Sequence, residues 1–175
     1  MPGVYLGLGS NVDRERNLLA GLDALDALFG EMALSSVYDS ETIGYQGDAF
    51  LNMVIAIDTV MPLAAMAARL RQIEVQYGRP PDARRDTPRQ LDIDILTYGD
   101  RVGVIDGVEL PRGEILENAF VLCPLAELAP NAKHPVTRLS YAQLWQEYDR
   151  SEQRLARIDF RWRGRLISVA GALPI

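Results

Sequence analysis

Apolar residues recur every three or four positions in two long stretches of the chain, and at every second position or in unbroken runs in several shorter ones. Leu18, Leu22, Leu25 and Leu28 form the first helical stripe, over residues 14–29, with Gly30 placed to cap its C-terminus. Leu63, Met66, Leu70, Ile73 and Tyr77 form the second, which opens at Pro62, where a helix tolerates proline, and stops at Gly78. The runs 4–9, 32–38, 50–59 and 91–98 read as strands, the first closing on Ser10-Asn11-Val12-Asp13, residue types that cap helices. Residues 102–110 predict one or two short edge strands, residues 120–128 and 140–149 two more helices, the second capped by Ser140. Residues 157–162 and 166–169 predict a hairpin about Arg163-Gly164.

The order strand, helix, strand, strand, helix, strand predicts an α+β, ferredoxin-like sandwich: a mainly antiparallel sheet with helices packed on one face. Residues 1–150 are expected to form the main domain, and 151–175 a C-terminal extension, read as a hairpin added to it, as an edge strand or as a dimer contact. Two joining segments stand out. Residues 39–49 carry Gly44 and Gly47, and residues 79–89 hold three prolines and four arginines, the composition of a mobile loop that seeks phosphate.

A net charge of −6 and a pI near 4.8 argue against broad nucleic-acid binding, so any anionic ligand must be held locally. Lys133 is the one lysine among 18 cationic residues; arginine's donor fork suits phosphate, and a GC-rich coding bias gives the same composition. Cys123, alone in an apolar run, can form no intramolecular disulfide and reads as a packing residue suited to a reducing compartment. With neither a secretory start nor an apolar run of about 18 residues, the chain is expected to be soluble and cytoplasmic, with no membrane partner. His134, beside Pro135, reads as a surface-loop residue without a catalytic part.

In the strand 91–98, Asp92 and Asp94 project to one face while Leu91, Ile93 and Ile95 project to the other. Taken alone, the pair reads equally as an ordinary solvated strand face or as two repelling carboxylates compensated by a hard cation such as magnesium. Arg89, three residues earlier, together with Arg79, Arg84 and Arg85, favours the second reading. It puts cation-binding and phosphate-binding groups at one sheet edge, the apparatus of phosphoryl transfer.

Five segments carry a resemblance: Tyr5-Leu6-Gly7-Leu8-Gly9-Ser10-Asn11, Phe50-Leu51-Asn52, Ile73-Glu74-Val75-Gln76-Tyr77-Gly78-Arg79, Pro88-Arg89-Gln90-Leu91-Asp92-Ile93-Asp94-Ile95-Leu96 and Phe120-Val121-Leu122-Cys123-Pro124-Leu125. In that order they resemble the 6-hydroxymethyl-7,8-dihydropterin pyrophosphokinases of folate biosynthesis, over residues 4 to about 130. The resemblance implies transfer of pyrophosphate from MgATP to the pterin hydroxymethyl oxygen, with release of AMP. It implies two magnesium ions on Asp92 and Asp94, catalytic roles for those two with Arg79 and Arg89, and nucleotide contacts from Arg71, Glu74, Arg79 and Arg89; Arg112, where the chain departs from the family, is a further candidate to contact the phosphates. Asn52 would read the pterin edge, Phe50 and Phe120 pack on or near its ring, and Ser40 and Ile43 line the pocket; a flat heterocycle with a donor and acceptor edge suits an aromatic face and an amide. From the residues alone, Phe50 and Phe120 read as core, and Glu74 and Asn52 are open to reading as a helix surface charge and a turn residue.

The chain departs from the family at three places. Pro111-Arg112-Gly113 stands where the family shows Pro-His, Asn118 where it commonly has arginine, and Asp86-Thr87 where it has an aromatic or basic residue and glycine. Arg112 then acts by charge alone, since guanidinium exchanges no proton near pH 7. A paralogue with another acceptor, or a binding module without turnover, stays open beside the enzyme reading; the partners expected are ATP and a reduced pterin, with no nucleic acid, in a monomer or weak homodimer.

Overall fold

A computed structural model of the chain describes residues 3–40, 49–77, 90–151 and 153–174. Strand β1 (Gly3–Ser10) runs into helix α1 (Arg14–Phe29), whose C-terminus closes on Gly30 as expected. The capping at its N-terminus differs from expectation. Asp13 occupies the cap position at φ 43° without a side-chain bond, and Asn17, inside the helix, donates from Nδ2 to the Val12 carbonyl at 2.7 Å. Ser10 belongs to the strand, and its hydroxyl donates to Val12 O.

The single strand expected over 32–38 is two, β2 (Ala33–Leu34) and β3 (Val37–Ser40), both paired with β4 (Phe50–Asp58). The break has a side-chain cause: Ser35 Oγ accepts from Val54 N at 2.9 Å, while Ser36 turns its N–H and hydroxyl to the Glu127 carboxylate. Helix α2 (Leu63–Gln76) leads on to β5 (Asp92–Tyr98). The next two strands, β6 (Gly103–Ile105) and β7 (Val108–Leu110), form a hairpin about Asp106-Gly107, both at positive φ, as a tight two-residue turn requires. Then come α3 (Glu114–Glu117), which the periodicity does not announce, α4 (Ala119–Leu128) and α5 (Tyr141–Glu147). Ser140 caps α5, accepting from Gln143 N at 3.1 Å. The chain closes with β8 (Leu155–Ile158), β9 (Phe160–Trp162) and β10 (Arg165–Ser168).

The main sheet runs β5-β1-β4-β3-β8, antiparallel throughout, with β2 also on β4. This is the α+β, ferredoxin-like arrangement, with one correction: helices cover both faces. Leu6, Leu8, Met53, Ile55, Ile93 and Ile95 pack on the α1 and α2 stripes, whereas Val54 and Leu96 turn the other way, into a second core with α4 and α5. The unbroken apolar run 53–57 is the signature of a strand buried on both sides.

Residues 153–174 fold back on this frame. β8 pairs with β3, Trp162 donates to Asp23 on α1 at 2.9 Å, and Trp145 of α5 donates to the Pro174 carbonyl at 2.8 Å.

Candidate active site

The second core stops short of one end of the sheet, and there the polar residues of the strands emerge. Asp92 and Asp94 from β5, Asn52 from β4 and Ser40 from β3 line a cavity of about 610 Å³, bounded on its other side by Glu109, Arg112, Gly113, Glu114, Glu117, Asn118 and Phe120. The floor is β1. Gly9 lies between Asn52 and Asp92 in the ladder, and Gly7 between Val54 and Asp94. Asn52 and the carboxylates are therefore two strand spacings apart, about 9–10 Å, with no β1 side chain standing between them. A Cβ on Gly9 would lie 2.8 Å from Asn52 Oδ1, so the close approach depends on glycine.

Asn52 donates from Nδ2 to Ser40 Oγ at 2.7 Å, which fixes its amide, and Phe50 borders it. Phe120, in the first turn of α4, is half-buried against the second core and also faces the cavity. At the carboxylate end, Arg112 donates through Nε and Nη2 to Glu114 Oε1, at 3.0 and 2.5 Å, and its Nη2 stands 3.7 Å from Asp94 Oδ1. Glu114 Oε2 in turn accepts from Asn118 Nδ2 at 3.1 Å. The arginine's own backbone is held too: Arg112 N donates to Leu96 O at 2.9 Å, tying this wall to β5.

Loss of bulk water, with Asp92 beside it, holds the Asp94 carboxyl well above the usual carboxylate range; Arg112 offsets this only in part, and Glu114 and Glu74 add to it. For Arg112 burial opposes the charge, but Asp94 and Glu114 outweigh it and raise the guanidinium further. The described lining thus has five carboxylates, Asp92, Asp94, Glu109, Glu114 and Glu117, against one cation, Arg112. Such a site fits a positive ion. Asp92 and Asp94 could hold an ion that takes its remaining ligands from water and phosphate, as magnesium does.

Ser40, Phe50, Asn52, Asp92, Asp94, Arg112 and Phe120 are thus brought together in one cavity. Glu74 and Arg71 do not line it. Glu74 is buried at the outer edge of β5, where its Oε2 accepts from Ile93 N at 2.8 Å, and Arg71 is exposed one helical turn earlier on α2. Glu74 is therefore no helix surface charge: it satisfies a donor on an edge strand. Ile43, Arg79 and Arg89 lie outside the described residues.

Sequence reasoning passed over Gly7 and Gly9 as floor residues, although two glycines at alternate positions of one strand face mark a surface that something approaches closely. It also passed over Glu109, Glu114 and Glu117, whose position no periodicity signals. His134 lies in a turn, as expected, but not at the surface. Only 2% of it is exposed, and its Nδ1 accepts from the backbone N–H groups of Val136 and Thr137 at 3.2 and 3.1 Å, which closes the turn before α5. Burial lowers its pKa.

The fold is an α+β sandwich, and its cavity joins a carboxylate-rich end to an amide and two aromatic rings. Residues 5–130 match the family model described as 7,8-dihydro-6-hydroxymethylpterin-pyrophosphokinase (HPPK). The chain belongs to that family. It is 34% identical over 140 residues to the 2-amino-4-hydroxy-6-hydroxymethyldihydropteridine pyrophosphokinase of Aquifex aeolicus, covering 79% of this chain and 87% of the relative. With the enzyme of the same name from Pseudomonas aeruginosa the identity is 37% over 136 residues, covering 75% and 83%. Among solved structures, wild-type HPPK-DHPS of Plasmodium falciparum superposes with a TM-score of 0.70 at 15% identity, over 96% of this chain and 49% of that one. The chain thus spans about half of that longer protein, and the likeness concerns the fold.

Proposed function

We propose that the chain transfers pyrophosphate from ATP to the hydroxymethyl oxygen of 6-hydroxymethyl-7,8-dihydropterin, giving AMP and the pterin diphosphate, a step of folate biosynthesis. The observation that carries the proposal is the single cavity in which Asp92 and Asp94 face Asn52 across the glycine floor of β1. In this reading Asn52, oriented by Ser40, pairs with the pterin edge, and Phe50 and Phe120 pack on its ring. The hydroxymethyl oxygen is thereby aimed at the carboxylate end. There it attacks the β-phosphorus; the bond from that phosphorus to the α-phosphate oxygen breaks, AMP leaves, and the hydroxyl proton passes to solvent.

Asp92 and Asp94 would hold magnesium, which we read as two ions, and the metal would supply positive charge against the triphosphate. Arg112 adds a cation that cannot deprotonate. Arg79 and Arg89 are assigned to the phosphates, and Arg71 and Glu74 to the nucleotide side. Residues 1–150 are read as the catalytic unit, with 151–175 an addition to it. No helix among the described residues is long and apolar enough to cross a membrane. We read the protein as a cytoplasmic monomer or weak homodimer whose partners are its two small substrates, without nucleic acid.

The test is direct. Purified protein given MgATP and the dihydropterin should form AMP at a rate far above an Asp92→Ala/Asp94→Ala control, and a rate equal to that control would sink the assignment.

A further inference from the structure

Arg112 and Glu114 occupy the wall at which this chain departs from its family, and their geometry sets a question of charge. A guanidinium beside an aspartate normally closes into a bidentate pair, two parallel hydrogen bonds on one carboxylate. Were Arg112 to do so with Asp94, it would take the oxygens that magnesium needs. It does not: Nη2 remains 3.7 Å from Asp94 Oδ1, while Nε and Nη2 both donate to Glu114 Oε1 at 3.0 and 2.5 Å. Glu114 is itself anchored, because Oε2 accepts from Asn118 Nδ2 at 3.1 Å, and Asn118 is buried at the joint of α3 and α4. Arg112 and Asp94 keep 34% and 26% of their side-chain surface open, so both remain reachable by a ligand in the cavity.

We propose that Glu114 is a positioning residue that holds Arg112 off Asp94, leaving the aspartate to the metal and the guanidinium to the phosphates. This rests on the reading of the cavity as a magnesium-nucleotide site. It gives a single function to two departures, arginine at 112 and asparagine at 118, which a loss of phosphate contacts alone would leave unconnected. Residue 118, as asparagine, no longer supplies a cation; it fixes the acid that aims the cation at 112.

The experiment is a calorimetric titration of magnesium into the protein with an ATP analogue carrying a methylene between the α and β phosphorus atoms. The variants are Glu114→Ala, Glu114→Gln, Arg112→Ala and the double Glu114→Ala/Arg112→Ala. Glu114→Ala should weaken magnesium about tenfold, because Arg112 then closes on Asp94; in the Arg112→Ala background the same change should have no effect. Glu114→Gln, which keeps an acceptor and the helix joint, should lie between, and it serves if the alanine variant does not fold. In ¹⁵N spectra the Arg112 Nε–H resonance should shift in Glu114→Ala, a change that mere loosening of α3 would not single out.

An equal loss of magnesium affinity with and without Arg112 would make Glu114 a ligand or a general source of negative charge, and would overturn the proposal, as would no loss in either background. No turnover is involved. A protein that forms no AMP yet loses magnesium only when Arg112 is present keeps this inference and gives up the pyrophosphokinase assignment.

Discussion

The two walls of the cavity are built by different means. The β5 wall places Asp92 and Asp94 by backbone: their positions follow from pairing with Gly9 and Gly7 of β1, while Leu91, Ile93 and Ile95 anchor the opposite face in the α1/α2 core. The wall from Arg112 to Phe120 is tied to β5 by one backbone bond, Arg112 N to Leu96 O, and its polar side chains are set by one another. Arg112 leans on Glu114, Glu114 on Asn118, and the first turn of α4 on Gln153, whose Oε1 accepts from Ala119 N at 2.6 Å while its Nε2 donates to Glu117 O at 3.1 Å. A ladder tolerates few changes, because a slip of one residue sends every side chain to the wrong face. A side-chain network can be recast residue by residue, and the departures from the family that fall among the described residues lie in it.

The sharpest way to break this comparison is at the carboxylates. Asp92→Ala or Asp94→Ala should lower kcat/KM by at least about a thousandfold, as the loss of a group that acts on developing charge does. Stability should move the other way. The Asp94 pKa is raised by folding, so its contribution is fully favourable only below the unfolded value near 3.8 and is lost as pH rises through the folded value. In magnesium-free buffer, then, Asp94→Asn should melt higher than the parent at pH 7, with the gain shrinking as pH falls toward 4. A kcat/KM within tenfold of the parent, or a lower melting temperature at pH 7, would mean that β5 does not carry the strained charge.

Next in size is the floor. In Gly9→Ala the new methyl would stand 2.8 Å from Asn52 Oδ1, so Asn52 must leave the position that Ser40 gives it. Overpacking of this kind costs about 1–3 kcal/mol of stability. KM for the pterin should rise about tenfold or more while the affinity for the ATP analogue, measured by calorimetry, holds within about twofold. Equal losses for both ligands would show that the floor, and not the pterin corner alone, has moved.

What could be read from the sequence follows the same division. The Asp92/Asp94 alternation and the two helical stripes are local patterns of period two and about 3.6, and the structure has them in place. The unbroken run 53–57 signals a strand covered on both faces, a signal that the order of strands and helices does not carry. Residues such as Glu114, Gln153 and His134 carry no period. Gln153 reaches Ala119 across 34 positions, and His134 is buried because two N–H groups of its own turn need an acceptor. Contacts like these are fixed by tertiary packing, and no window of sequence contains them.

A smaller effect should come from the support of the second wall. Gln153→Ala removes the acceptor at Ala119 N and the donor to Glu117 O, a loss of about 1–2 kcal/mol, hence roughly 2–8 °C in Tm for a chain of this size. Since Phe120 sits in the turn so held, KM for the pterin should rise about two- to fivefold with magnesium affinity unchanged. A change confined to magnesium would place the influence of Gln153 at the Arg112 end instead.

The smallest effect expected lies away from the cavity, where His134 closes the turn between α4 and α5. Its Nδ1 must be unprotonated to accept from Val136 and Thr137, and burial lowers its pKa. A depressed folded pKa means that the stabilisation is present above the unfolded value near 6.5 and is lost as pH falls through the folded one. Acidification from pH 7 to 5 should therefore lower the protection of the 134–139 amides, measured against their slower intrinsic exchange in acid, before it lowers that of the amides shared by β1 and β5. In His134→Asn the amide oxygen still accepts from the turn and does not titrate, so that acid-dependent difference should disappear with turnover at pH 7 unchanged. Protection falling in step in this turn and in the β1–β5 amides would mean that they open as one unit, and that the contrast between ladder and side-chain contacts does not extend to their stability.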